Sequence, residues 1–252
     1  MERKGTQQNL IGITYLSSMR GLLSLCFIMF ALISNAQEEA TFPGNAEYRR
    51  QRKTAARKSI KELKAGVLLV RLDFQQRKID YFTKYENFQE VERIQKKQSK
   101  INAEIADAFN THYNFCEVYF FRMNDSRKLL QGKYDSVLFF NSQLEPDSSV
   151  NLEDRTWFVA EFGYIEQDTS IFYSGASPTP QNEDNPAGVT YYGGSKNNKS
   201  ALVIRNDKFD QLRDPFPYYV GFNYFGSVKK RYRLPVQKLN RHLHNYFNNS
   251  GE

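Results

Sequence analysis

Apolar residues recur at helical spacing from Ala46 to Lys64, where Tyr48, Ala55, Ala56, Ser59, Ile60 and Leu63 share one arc of a helical wheel. Gly66 follows as a helix stop. "GVLLVRL" (66–72) is then a short apolar run containing β-branched residues, the pattern of a buried strand. Residues 73–112 read as two helices. Ile79, Phe82 and Tyr85 form the inward face of the first. Asn87 followed by Glu90 has the form of a capping box, which places the break near Tyr85–Asn87. In the second, Val91, Ile94, Gln98, Ile101, Ile105, Ala108 and His112 recur at alternating spacings of three and four. Polar Gln98 interrupts that seam, so an ordinary helix packed on a sheet fits better than a coiled coil.

Strand patterns dominate the remainder. "NFCEVYFF" (114–121), "SVLFF" (136–140), "RTWFVAEFGYI" (155–165), "SALVI" (200–204) and "PFPYYVGFNYF" (215–225) are rich in β-branched and aromatic residues. Pro235 is read as the first turn of a closing helix, with Val236, Leu239, Leu243, Tyr246 and Phe247 on one face. Between Ser174 and Lys199 the apolar pattern gives way to Gly, Pro, Asn and Ser, the composition of a flexible loop. The expected fold is α/β or α+β: a mixed sheet of about five strands, an N-terminal helical segment and a C-terminal helix. A basic helix within residues 37–65 then precedes a single α/β domain over 66–252.

One segment changes the picture of location. Residues 19–36, "MRGLLSLCFIMFALISNA", join a charge at Arg20 to an uncharged core from Gly21 to Ile33 and small residues at Ser34 and Ala36. That is the layout of a secretory signal covering residues 1–36, with Met19 as an alternative start. The competing reading is an uncleaved anchor over Leu10–Ile33, with Arg20 near its middle. A charge there costs about 2.5–3.5 kcal/mol, which favours cleavage and an exported, periplasmic or secreted chain. Membrane contact would then be peripheral at most. Cys26 leaves with the signal, so Cys116 cannot form an internal disulfide.

Charge adds a candidate surface. The chain carries a formal +7, of which the leader holds a net +2, leaving +5 on residues 37–252. Eight cations lie between Ala46 and Lys64 against Glu47 and Glu62, so this one helix holds +6 and the rest of the exported chain −1. Arg49, Arg50, Lys53, Arg57, Lys58, Lys61 and Lys64 form the candidate binding face, suited to an anionic envelope surface or an acidic protein partner. The competing reading is a solvated face. Export argues against a nucleic-acid partner.

Candidate chemistry is sparse. Glu117 and Glu161 each alternate with apolar residues on a strand. Desolvation there would raise a carboxyl toward general-acid use, and a facing pair could hydrolyse glycans. The alternative is that each pairs with Lys or Arg. His242 and His244 point to different sides of a helix, His112 has no obvious partner, and no zinc motif is present. Cys116 reads as a buried inert thiol. "GGSKNNKS" (193–200) precedes a strand, the wrong order for a phosphate loop, and no cofactor is implied.

"SNAQ", "NFCEVYFF" and "SALVIRNDKFDQLRDPFPYYV" resemble exported proteins of unassigned activity found in some Gram-negative bacteria. The resemblance spans most of the chain after the leader and implies a periplasmic or secreted location, with no particular chemistry. The function expected is a non-enzymatic binding or structural domain of the cell envelope, with a glycan hydrolase using Glu117 and Glu161 as the alternative.

Overall fold

The computed structural model describes residues 44–173, 189–191, 198–222 and 228–250, all within the unit Gly44–Glu252. The expected leader, and nearly all of the expected loop over 174–199, lie outside these residues. The elements are α1 (Asn45–Ala65), β1 (Val67–Leu72), α2 (Gln76–Lys84), α3 (Phe88–His112), β2 (Glu117–Arg122), α4 (Ser126–Leu130), β3 (Phe139–Phe140), β4 (Trp157–Tyr164), β5 (Ile171–Tyr173), β6 (Val189–Tyr191), β7 (Ser200–Arg205), β8 (Tyr219–Gly221) and α5 (Val228–Asn249). Among the described helices, none is long and apolar enough to cross a membrane.

Six strands form a mixed sheet in the order β3-β2-β1-β4-β7-β8. β1 lies parallel to β2 on one side and to β4 on the other. β3, β7 and β8 join antiparallel. The fold class is α+β with helices at both ends of the described chain. β1 is central and covered on both faces, which is why its sequence is a continuous apolar run rather than an alternation. On one face Leu68, Val70, Phe120, Phe158, Leu202 and Ile204 meet Ile60 and Leu63 of α1, Phe109 of α3, and Val236, Leu239 and Leu243 of α5. On the other, Val67, Leu69, Phe121, Trp157 and Val159 lie under Leu129, Val137 and Leu152. Each fully buried aliphatic side chain contributes about 1.5–3 kcal/mol. Because Ile60 and Leu63 are wholly buried, the basic helix is part of this core.

Local signals explain several boundaries. The Asn87 side chain accepts from the Glu90 backbone N–H at 3.2 Å and caps α3 where the capping box predicts. Polar Gln98 on the buried seam also has a purpose. It donates to Asn102 at 3.1 Å, and Asn102 donates to the Asp73 carbonyl at 2.9 Å, tying α3 to the end of β1.

Other expectations are corrected. α2 buries no residue fully, and Tyr85, expected inward, is 62% exposed. Tyr81 and Phe88 are exposed beside it, so the bend from α2 to α3 carries an aromatic patch. Ala55, placed on the inner arc of α1, is also exposed. Pro235 lies inside α5 rather than at its start. The ring leaves one helical carbonyl without its donor, yet Tyr232, Val236, Leu239 and Leu243 keep one buried face running past it. "SVLFF" supplies only the two residues of β3. Val189–Tyr191, expected to be loop, pairs antiparallel with β5 in a separate two-stranded sheet.

Candidate functional site

Folding separates the seven basic candidates into two groups. Arg49, Arg50, Lys53, Lys58 and Lys61 remain exposed. Arg50 meets Glu47, and Lys58 lies 3.6 Å from Glu62, both on the helix surface. Such exposed pairs are worth about 0–1 kcal/mol each. Lys64 is held by the fold instead. Its ammonium donates to the Phe115 carbonyl at 2.7 Å and lies 4.9 Å from that ring's centroid. Arg57 is half-buried, and its charge acts on Tyr246 of α5, whose phenol is raised overall by burial.

Arg52, on the same helix, turns inward. It forms an ion pair with Asp168 at 2.9 Å, donates through Nε to the Asp214 carbonyl at 2.8 Å, donates also to the Tyr48 hydroxyl, and covers the Tyr48 ring. One guanidinium thus joins α1, the segment entering β5 and the segment before β8. Burial alone would raise the Asp168 carboxyl, but hydrogen bonds from Ser170 and Arg52 hold it below its ordinary value. A depressed carboxyl stabilises the fold above the unfolded value of about 4 and loses that contribution as pH falls through the folded value. The stability difference between wild type and Asp168→Asn should therefore be constant from pH 5 to 7 and shrink below about pH 4. Denaturant titrations across that range measure it.

Beside Arg52, the N-terminal half of α1, the Asp214–Pro215 segment and Tyr246 enclose a cavity of about 420 Å³. Tyr48, Pro215 and Tyr246 contribute wall surface, while Arg49 and Lys53 also line it.

The two glutamates are kept apart. Glu117 pairs in register with Val67, and Val67 with Trp157, while Glu161 lies four residues further along β4. Strand rise and spacing put them about 13 Å apart along the sheet and about 10 Å across it. That exceeds the roughly 6.5–9.5 Å an inverting glycosidase uses. Glu117 accepts from Tyr119 and from Arg155, and these bonds lower its carboxyl below the ordinary value, opposite to the raised value a general acid needs.

Glu161 is buried between Arg71 of β1 and Arg205 of β7. Arg205 Nε donates to it at 2.6 Å, and the same guanidinium reaches Glu166 at 2.7 Å and the Phe209 carbonyl at 3.0 Å. The location matters. The β1–β4 ladder ends at Val70 and Ala160, while β1 runs on beside β2 and β4 runs on beside β7. A cavity of about 410 Å³ opens at these parting carboxyl ends, where open α/β sheets often bind ligands. Here Glu161 spans the gap with an arginine on each side, so the ion pairs clasp the strands where the backbone ladder stops.

Cys116 is half-buried at 3.3 Å from the Tyr113 hydroxyl, and desolvation raises its thiol to about 11, well away from a reactive thiolate. His244 is 3.0 Å from Asn114 Oδ1. Burial and the charges of Arg241 and Lys238 lower His242. Among the described residues, no group of three His, Cys, Asp or Glu side chains is placed to hold a metal ion. No family model, curated protein or solved structure matches the chain.

Arg52, Arg71 and Arg205 are the residues that single-position reasoning misses. Each stands as one more cation in a helix or at a strand end. Only the distant carboxylate that folding brings to each gives it a role.

Proposed function

We propose that this chain is a non-enzymatic binding domain of the cell envelope, exported by the leader and docked on an anionic membrane surface through the outer face of α1. The observation that carries the reading is the exposure of Arg50, Lys58 and Lys61 on the side of α1 turned away from Ala56, Ile60 and Leu63, which are locked into the core. Eleven helical rises separate Arg50 from Lys61, so the row extends about 17 Å, long enough to meet several headgroups at once. Its apolar residues are spent on the fold, so the contact is electrostatic and peripheral rather than inserted. Clustered cations near an anionic leaflet attract it by about 1 kcal/mol each.

The test is sedimentation with phosphatidylglycerol vesicles. Wild type should pellet at low salt and be released as the Debye length falls from about 10 Å at 0.1 M to about 3 Å at 1 M. Arg50→Glu/Lys58→Glu/Lys61→Glu should stay in the supernatant while keeping its denaturation midpoint within the small range expected of exposed pairs. Lys64 and Arg57 are left in place because they contact the fold. Equal pelleting of both proteins at low salt would leave the row a solvated face. A variant that loses capture of an acidic protein, with neither protein bound to vesicles, would instead favour the protein partner.

A further inference from the structure

We infer that the cavity between α1, Asp214–Pro215 and Tyr246 binds an amphiphilic organic anion, with its apolar body inside and its charged group held by Arg49 and Lys53. The inference deepens the membrane-docking reading and rests on it for the source of the ligand.

The cavity's volume, about 420 Å³, lies in the range of small-molecule sites. Tyr48, Pro215 and Tyr246 give it aromatic and aliphatic wall surface. Among the described residues its charged lining is mostly cationic, with Arg49, Arg52 and Lys53 beside the carboxylate of Asp214. Arg52 is already engaged by Asp168, the Asp214 carbonyl and Tyr48, so it fixes the wall rather than the ligand. Arg49 and Lys53, by contrast, make no ion pair among the described residues and stay exposed one helical turn apart. At this spacing two side chains share a face and can both reach one carboxylate or phosphate. A purely apolar ligand would leave that pair unused, and a compact inorganic anion would leave the walls unused. An anion carrying a short acyl chain or ring uses both.

Calorimetric titration of the full chain with decanoate and decyl phosphate provides the test. Saturable binding is expected, weakened at least tenfold with decanol or decyltrimethylammonium. Octanoate should bind about fifteenfold more weakly than decanoate, since each buried methylene is worth roughly fourfold. Arg49→Glu/Lys53→Glu should abolish anion preference. Asn45→Trp, which fills the cavity from a lining position, should abolish binding of every decyl probe, with an unchanged melting temperature confirming that it folds. Arg50→Glu/Lys58→Glu/Lys61→Glu should bind decanoate normally even where it fails on vesicles, which separates this site from surface docking. Extraction of fluorescent phosphatidylglycerol from vesicles would identify a lipid source, and binding of free amphiphile without extraction a soluble one; both support the site. Absence of saturable binding, or equal affinity for anionic, neutral and cationic decyl probes, would overturn it.

Discussion

Replacing Glu161 by Gln should destabilise the protein by about 3–5 kcal/mol, enough to leave little folded protein if the domain is of ordinary stability. The carboxylate is almost fully buried and is the common partner of Arg71 and Arg205. Taking its charge away leaves two desolvated guanidiniums facing each other. Burial already lowers Arg71, the Glu161 charge raises it, and the neighbouring Arg205 charge lowers it further. Glu166, whose half-exposed carboxylate meets Arg205 rather than Arg71, cannot replace the bridge. Replacing both ends of the clasp with matched apolar residues, Arg71→Met with Glu161→Leu, should recover part of the loss, although Arg205 then keeps only Glu166 and the Phe209 carbonyl. Denaturant unfolding of the single and double variants gives the coupling energy directly. A single-variant loss under 1 kcal/mol would show that the clasp bears no stability.

This clasp also marks the limit of what the chain discloses before it folds. That Glu161 pairs with a basic residue was one of two readings open for a carboxylate on an apolar strand. Which cations it meets depends on β4 lying between β1 and β7, and strand order is a property of the whole chain. Features settled within a few residues were legible: the Asn87 cap, the stop at Gly66, and the apolar run of β1. The buried face of α5 was legible too, although Pro235 pulled its expected start inward, because helical spacing continues on both sides of the ring. β5 and β6 were not, since three-residue strands carry no period of their own and form only where a partner edge is offered. The basic row of α1 was visible as composition. The cavity beside it was not, because Tyr48, Pro215 and Tyr246 are brought together only by packing of α1, α5 and the segment before β8.

Gly66→Ala should cost about 3 kcal/mol, at the upper end of overpacking penalties. The φ of −102° does not itself call for glycine. Space is the constraint. A Cβ built there lies 2.2 Å from the Thr156 carbonyl oxygen and 2.8 Å from that of Glu62. Both obstacles are backbone, so no side chain can rotate away. The Thr156 carbonyl accepts from the Val67 N–H at 3.0 Å, immediately before the ladder that pairs Val67 with Trp157. A methyl group at residue 66 must therefore push α1 away from β4 or break the first bond between the two parallel strands. Either movement disturbs Leu63 and Val67, which are wholly buried. The measurement is the urea midpoint of G66A beside that of Gly44→Ala, where nothing lies within 4 Å of the added carbon. G66A should shift by more than 1 M, taking an m-value of about 2 kcal/mol/M, and G44A should hardly shift. Equal midpoints would mean that α1 and β4 can separate freely, and the basic face would then lose the fixed support that holds its charges in a row.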